Sequence, residues 1–431
     1  MTMLRRARLE ALSDSERRRL TRRSVIPDPS VAERTAEICR RVERGGDSVV
    51  AELAGRLGGG WRQVSSEELD AAVAALNPDI RSALEAAIRA VAAVHSPQLP
   101  TDTETTTVPG VSVTRVWAPL RRVGAYVPGG KAVYPSTVVM TVVPAVVAGV
   151  AEIVVVSPEH DGRLPEVMAA ACRLAGATEV WAGGGAQAIA ALAYGTETMR
   201  PVDKIVGPGN AYVTAAKLAV FGTCAIDLPA GPSEVLVIAD DTADPRLVAV
   251  DLLCQAEHGP DSPAVLVTTD ASLVDRVDSA IAAWLPDLER ADILAKALSD
   301  HGVAVIAESR QAAMAFAEEY AAEHVSVMTR DPEADAAEIR SAGSVYVGPW
   351  APESAGDYAT GANHVLPTGG LARACGPLSV TDFGSWRQVQ RIDRGGLERL
   401  APTISALATA EGLTAHRLAA EIRLEIDRET A

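Results

Sequence analysis

Two polar side chains, Gln255 and His258, lie three residues apart in a segment with helical periodicity. Residues at positions i and i+3 share one face of a helix, so the amide oxygen and the imidazole would point the same way. Zinc accepts imidazole nitrogen and oxygen ligands, although glutamine is an uncommon one. The spacing alone is weak evidence, because His258 beside Gly259 could equally end the helix and cap its last carbonyl groups.

More polar residues could complete such a site from distant parts of the chain. Asp357 and His416 could supply further ligands, although each taken alone resembles an ordinary loop carboxylate or surface histidine. The adjacent Glu323 and His324 could be a solvated pair or an acid/base pair, since histidine titrates near neutrality and a carboxylate can activate water. Such a pair suits alcohol oxidation followed by attack of water on a carbonyl. A thiol nucleophile at Cys254 is disfavoured, and we expect it to be a packing residue.

Composition and charge limit the class of protein. The chain has 431 residues, of which 48% are hydrophobic and 22% charged, so it can fold into two or three domains. Its net charge of −16 disfavours nucleic acid and anionic membranes as partners and favours a small-molecule substrate. The sequence has no uninterrupted apolar run of membrane-spanning length and no secretory signal. Five scattered cysteines fit unpaired thiols in a reducing compartment, so we expect a cytoplasmic protein.

The middle of the chain alternates between short β-branched runs and helical segments. The predicted strands are 152–156, 179–181, 204–206, 235–238, 264–267, 304–306 and 345–347. The predicted helices between them include 165–174, 187–194, 247–257 and 311–322. This alternation is typical of parallel sheets covered by helices on both faces. We therefore predict an α/β protein with two Rossmann-like parallel-sheet domains.

The remaining sequence suggests how these domains are divided. Residues 1–28 carry eight arginines interrupted by acids, unlike an acid-poor transit peptide, and are predicted to form a small N-terminal helical arm. Residues 29–121 with 234–372 are predicted to form the first α/β domain, which carries most candidate site residues. Residues 122–233 are predicted to form the second α/β domain. Residues 373–431 have no strand signal and are predicted to be a C-terminal appendage of loops and helices.

Three glycine-rich turns follow strands of these domains, at 127–130, 183–187 and 207–210. Open α/β folds bind ligands at the carboxyl ends of their strands, so each turn could let the backbone approach a nucleotide. None is a full G-x-G-x-x-G fingerprint, and a tight turn also uses glycine for steric reasons. The turns therefore leave cofactor binding and simple chain reversal as open alternatives.

Several segments together resemble the histidinol dehydrogenase family in order and spacing. They are IDLPAGPSE (226–234), QAEH (255–258), AEH (322–324), SAG (341–343), SAGDY (354–358), NHVLPT (363–368) and EGLTAH (411–416). The resemblance runs from about Ala32 to His416 and is weakest in the N-terminal arm. It implies an enzyme with one zinc ion per subunit that oxidises L-histidinol to L-histidine in two successive NAD-dependent steps through histidinaldehyde, the last steps of histidine biosynthesis.

The resemblance also implies a role for particular residues. Glu323 and His324 would be catalytic. The zinc ligands would be Gln255, His258, Asp357 and His416. The substrate-binding residues would be Ser233, Gln255, His258, His324, Asp357, His364, Glu411 and His416. NAD would lie near Tyr126, Gln187 and Asn210. The family is a homodimer whose C-terminal appendage crosses to the neighbouring subunit, so Glu411 and His416 would serve the partner's active site.

Other functions are compatible with parts of this pattern. A paralogue on the same scaffold could oxidise another small alcohol, such as a sulfonated diol, although Ser233, His364 and Glu411 favour histidinol. A non-catalytic NAD- or metal-binding protein would not need the acid/base pair Glu323 and His324. A purely structural role would leave the glycine turns and the clustered histidines unexplained.

Overall fold

The computed structural model describes residues 3–23, 28–129 and 132–425, so Gly130 of the first glycine turn lies outside the described residues. The strands are, in chain order, β1 (Arg5–Arg8), β2 (Arg62–Gln63), β3 (Thr103–Val108), β4 (Val111–Pro119), β5 (Arg122–Tyr126), β6 (Glu152–Ser157), β7 (Glu179–Ala182), β8 (Lys204–Val206), β9 (Ala225–Ile226), β10 (Val235–Ala239), β11 (Ala264–Thr268), β12 (Gly302–Ile306), β13 (His324–Met328), β14 (Ser344–Val347) and β15 (Gly384–Ile392). The helices are α1 (Asp14–Thr21), α2 (Pro29–Arg56), α3 (Ser66–Ala75), α4 (Pro78–His95), α5 (Pro135–Ala148), α6 (Glu166–Ala175), α7 (Ala186–Tyr194), α8 (Ala211–Val220), α9 (Pro245–Glu257), α10 (Ala271–Trp284), α11 (Ala291–His301), α12 (Arg310–Tyr320), α13 (Pro332–Glu338), α14 (Glu353–Tyr358), α15 (Arg394–Ala410) and α16 (Thr414–Glu425).

The first sheet is parallel throughout and has the strand order β1–β12–β11–β10–β13–β14. Strand β10 of this sheet shows why apolar and polar residues do not alternate in the apolar runs of this region. Val235 and Val237 pack into the core on one face of the sheet, and Leu236 and Ile238 pack into the core on the other. Because successive side chains of a strand point to opposite faces, a continuous apolar run marks a strand covered on both sides.

The second sheet has the strand order β2–β7–β6–β5–β8–β9 and is parallel except where β2 pairs with β7. The chain adds β6 on one side of β5 and β8 on the other, so the direction of winding changes at β5. In open α/β sheets this point creates a crevice beyond the carboxyl ends of the strands. The predicted α/β architecture with two parallel sheets is confirmed.

The chain forms two compact units. The first comprises the described parts of Met1–Gln98 and Leu120–Phe383 and contains both parallel sheets. The second comprises Leu99–Pro119 and the described part of Gly384–Ala431, with an antiparallel sheet in the order β15–β4–β3 and the helices α15 and α16. The segment 99–119, which the sequence analysis assigns to the first α/β domain, thus lies in this second unit. No helix within the described ranges is long and apolar enough to cross a membrane.

The prediction of a C-terminal appendage without strands is wrong, because Gly384–Ile392 forms β15. This strand pairs antiparallel with β4, and Trp386 lies opposite Trp117. Most of its side chains are exposed or half-buried, so the sequence carries no apolar alternation by which to recognise a strand. Its structure comes from backbone pairing with a segment far away in the sequence.

The N-terminal arm contains the predicted helix and an unpredicted strand. Helix α1 begins with a capping box in which Ser13 and Glu16 exchange hydrogen bonds with each other's backbone. Strand β1 pairs parallel with β12 at the edge of the first sheet. Its sequence Arg-Arg-Ala-Arg has no apolar run, and the strand is held by its backbone pairing and by the buried Leu4 and Leu9 at its two ends.

Candidate active site

Helix α9 places Gln255 and His258 at the amino-terminal edge of the first sheet. Gln255 is fully buried, and both atoms of its amide lack hydrogen-bond partners. His258 follows the last residue of α9 and is about a third exposed, with a relative side-chain exposure of 35%. Its Nε2 atom faces the carboxylate of Glu353 at 3.6 Å, not the helix carbonyls. Partial burial lowers the pKa of His258 and so favours the neutral imidazole that metals bind.

Helix α14 supplies two carboxylates to the same place. Glu353 and Asp357 lie four residues apart and therefore on one face of this short helix. The helix packs closely on strand β14, because a Cβ atom at Gly356 would lie 2.3 Å from the hydroxyl oxygen of Tyr346. One ligand atom from each of His258, Glu353 and Asp357 lies within 4.8 Å of the others. Burial raises the pKa of both carboxyl groups.

Glu353 is a site residue that the sequence analysis missed. Its side chain is 1% exposed, and neither oxygen has a hydrogen-bond partner. Burying a carboxylate without partners costs folding free energy. We therefore expect a cation or a hydrogen-bond donor beside Glu353. The signal that could have found it is its i, i+4 spacing from Asp357.

Glu323 and His324 lie where β13 begins, beside the loop that leads into β10. Glu323 Oε2 accepts hydrogen bonds from the Ser233 hydroxyl at 2.6 Å and from the Glu234 backbone N–H at 2.9 Å. Both ring nitrogens of His324 are buried without a hydrogen-bond partner. Burial raises the pKa of Glu323 well above its usual range and lowers that of His324 to about 3. Burial therefore favours the neutral form of each group where no cation lies nearby.

A buried ion pair connects the N-terminal arm to this loop. The Arg23 guanidinium binds both carboxylate oxygens of Glu234, at 2.5 and 2.8 Å, and lies over the ring of Tyr320 at 3.6 Å. The same Glu234 carboxylate accepts the backbone N–H of Gly369. Glu234 also contributes the backbone N–H that holds Glu323, so the arm supports the loop beneath the acid/base pair.

His364 connects α14 with α5. Its Nδ1 atom lies 3.2 Å from the carbonyl oxygen of Asp357, and its Nε2 atom lies 3.4 Å from the hydroxyl of Thr137 on α5. The neighbouring Asn363 donates a hydrogen bond to the carbonyl oxygen of Met140, also on α5. His364 is therefore held next to the predicted ligand Asp357, between α14 and α5.

A cavity of about 620 Å³ opens beside this cluster. Its polar wall includes His258 and Asp357, and its apolar wall comes from α4 and from the start of α5. Cys254 also lines it, but burial strongly raises the pKa of that thiol. The reactive thiolate is thereby disfavoured, in agreement with the expected packing role.

The three predicted NAD residues follow strands of the second sheet at its carboxyl edge. Tyr126 ends β5, and its buried hydroxyl accepts the backbone N–H of Gly185 at 3.1 Å. Gln187 lies in the first turn of α7 and is buried. Asn210 caps α8 by accepting the backbone N–H groups of Tyr212 and Val213. Helix N-termini and this switch point between strands are where α/β folds bind nucleotides, so the site fits NAD.

A second buried ion pair shapes the loop before Asn210. Lys217 contacts the carboxylate of Asp227 and donates hydrogen bonds to the carbonyl oxygens of Gly207 and Leu228. Asp227 in turn accepts the backbone N–H of Gly207 at 2.7 Å. Gly207 has φ +107°, and a Cβ atom there would lie 2.2 Å from the carbonyl oxygen of Tyr126. Only glycine allows this loop to pass so close to β5.

The remaining predicted residues belong to the second unit. Glu411 follows α15, and His416 lies in the first turn of α16; both side chains are exposed. Of the predicted ligands, the first unit brings together His258 and Asp357, and Gln255 lies one helical turn before His258. Gln255, Glu353 and His324 each keep both of their polar side-chain atoms buried and unpaired, so this donor set fits a metal such as zinc.

The fold and this cluster define an α/β protein with a polar, metal-compatible site at one sheet and a second sheet whose carboxyl edge suits a nucleotide. The family model "Histidinol dehydrogenase" matches residues 21–424. The chain is 48% identical to the histidinol dehydrogenase of Halobacterium salinarum over 394 residues, 90% of this chain and 92% of the relative. It is 44% identical to that of Methanothermobacter thermautotrophicus, over 92% and 94% of the two chains.

A solved structure agrees with these relatives. The crystal structure of histidinol dehydrogenase from Elizabethkingia anophelis superposes with a TM-score of 0.92 at 35% identity and covers 99% of both chains. The chain belongs to the histidinol dehydrogenase family, as its motifs predict.

Proposed function

We infer that this chain is an NAD-dependent oxidoreductase that converts L-histidinol to L-histidine in two successive oxidations, the last steps of histidine biosynthesis. Family membership over nearly the whole chain supports the reaction. One observation connects this reaction with particular residues: the polar side-chain atoms of Gln255, His324 and Glu353 are buried and unpaired at one edge of the first sheet. Such atoms are costly unless ligands satisfy them.

The metal in this proposal is zinc, held by Gln255, His258, Asp357 and, from the partner subunit of a homodimer, the residue equivalent to His416. Ligand atoms of His258 and Asp357 lie within 4.8 Å of each other, and Gln255 lies one helical turn before His258 at the end of α9, which supports a shared ion. Exposure of His416 in the second unit leaves it accessible to another subunit. Glu411, equally exposed, would reach the substrate in the same way.

The cofactor in this proposal is NAD, bound along Tyr126, Gln187 and Asn210. The support is their common position at the carboxyl edge of the second sheet, where the backbone of the Gly207 loop passes close to β5. The substrate would lie between this edge and the polar cluster, against Ser233 and His364.

The mechanism assigns one proton transfer to each member of the acid/base pair. Zinc, when bound, would supply a Lewis acid that orients and polarises the substrate, and NAD would supply the hydride acceptor for each oxidation. His324 takes the proton of the substrate hydroxyl during the first oxidation. Glu323, held by Ser233 and the Glu234 N–H, takes a proton from the water that adds to histidinaldehyde. Burial excludes other water from both groups.

The number of NADH molecules formed per L-histidinol tests this function. We expect two, measured on purified protein with zinc and NAD, with activity abolished by a chelator and restored by zinc. If the protein forms no NADH from histidinol but turns over another small alcohol, the paralogue with a different substrate is the correct interpretation.

The zinc site can be tested without any activity measurement. His258→Ala should lose bound zinc, as measured by atomic emission after dialysis. His301→Ala is the matched control, because His301 also ends a helix but is exposed outside the cluster. Equal zinc contents in the two variants would contradict the assignment of His258.

A further inference from the structure

Glu353 has no role in the mechanism above, although it is the most completely buried carboxylate of the cluster. Its side chain is 1% exposed, and both oxygens lack a hydrogen-bond partner. An unpaired carboxylate in such a buried position is unfavourable. A functional partner for this group would account for its presence.

Two imidazoles are the candidate partners. In the part of the chain that the structure describes, Glu353 Oε1 lies 3.4 Å from His324 Nδ1 and 3.6 Å from His258 Nε2, and no other basic side chain lies within 4.0 Å. If His258 Nε2 is the nitrogen that binds the metal, it offers a lone pair and has no hydrogen to donate. The N–H available to Glu353 is then that of His324.

The neighbouring Glu323 is a weaker candidate for the same N–H. Its Oε2 atom lies 3.8 Å from His324 Nδ1 and already accepts two hydrogen bonds, from Ser233 and Glu234. The oxygens of Glu353 accept none. Glu353 is thus both closer to His324 and free to accept.

We propose that Glu353 is a positioning residue whose Oε1 atom accepts the Nδ1–H of His324. This bond fixes the tautomer in which Nε2 is unprotonated, so Nε2 can take the hydroxyl proton as hydride passes to NAD. The 3.4 Å separation is longer than an ordinary hydrogen bond, and catalytic hydrogen bonds commonly shorten when ligands bind. A carboxylate that orients a histidine base is a recurring arrangement in enzymes. The proposal rests on the proposed function, because it needs His324 to act as the base.

The variant Glu353→Ala with added formate tests the role directly. Removing the side chain leaves a space of carboxylate size beside His324, which formate can enter. We expect kcat for histidinol oxidation to fall by about 10²-fold or more, the usual contribution of a correctly held base, while KM changes little. Formate should restore a substantial part of kcat, and formamide, which has the same shape but no charge, should not. Formate should not accelerate Glu333→Ala, in which an exposed acid of α13 is removed.

Zinc content provides a readout that is independent of turnover. Glu353→Ala and the isosteric Glu353→Gln should both keep the zinc of the unaltered protein. Loss of zinc from both variants would make Glu353 a metal ligand and overturn the proposal. Retained zinc without rescue by formate would also overturn it, because a merely structural carboxylate would behave in that way. Failure of the unaltered protein to form NADH from histidinol would instead refute the proposed function.

Discussion

Changing Glu323 to glutamine should separate the two oxidation steps. The amide oxygen of glutamine can accept the same hydrogen bonds from Ser233 and the Glu234 N–H, so the local structure should be preserved. The glutamine side chain is nearly isosteric with that of glutamate and differs mainly in that it has no carboxylate to take up a proton. Oxidation of the alcohol, which depends on His324, should therefore change little.

The aldehyde step should be slowed much more, because it needs a base to activate water. A positioned general base contributes about 10²–10⁴-fold to a rate, which corresponds to about 3–5 kcal/mol of activation free energy. Stopped-flow measurement with histidinol should show the first NADH forming at a near-normal rate and the second appearing slowly. Histidinaldehyde supplied directly should show the full loss.

The matched control is Glu318→Gln. Glu318 accepts hydrogen bonds from Ser341 and from two backbone N–H groups, as a buried site carboxylate does, but it lies on α12 away from the cluster. The Glu318→Gln variant should therefore catalyse both oxidation steps at unchanged rates. If Glu323→Gln slows both steps by the same factor, the division of labour between the acid and the histidine is refuted.

Three further predictions concern the shared site and the buried charges. The variants His324→Ala and His416→Ala should each be inactive, whereas heterodimers of the two should regain activity from one intact site; inactive heterodimers would place His416 in its own subunit's site. Lys217→Met removes the cation beside the buried Asp227 carboxylate and should lower the free energy of unfolding, measured by urea denaturation, by about 3–5 kcal/mol. Lys296→Met, which removes the cation of an exposed pair, should leave that free energy unchanged. Burial raises the pKa of Asp251 to about 6, so its folded state binds the proton more tightly and loses stability as pH rises toward and through 6. Asp251→Asn should therefore stabilise the protein by about 3 kcal/mol at pH 8 and by less at pH 5, and an equal gain at both pH values would contradict this.

The parallel-sheet regions were largely predictable because their residues carry strong local signals. The apolar run of β10 identifies a strand buried on both faces, and the periodicity of α9 places Gln255 and His258 on one turn. Family motifs then connect Glu323 and His324 with distant residues, which periodicity alone could not do.

Other features depend on contacts that no local pattern records. Strand β15 is polar and exists through pairing with β4. Glu353 resembles an ordinary acid at the start of a helix until the fold buries it against two imidazoles. The ion pair between Arg23 and Glu234 joins residues that lie before and after the second sheet in the sequence. No local pattern therefore indicates that they are partners.

The pairing of β1 with β12 affects how the chain folds during synthesis. Arg5 lies opposite Val303, so the first sheet cannot be completed until the ribosome has released most of the chain. Such distant pairing slows folding. Until then β12 has an open edge, which can pair with another molecule, whereas the finished protein ends this sheet with a short strand bearing three arginines. Trimming the N-terminus should therefore promote aggregation of newly made chains even where the chemistry of the site is untouched.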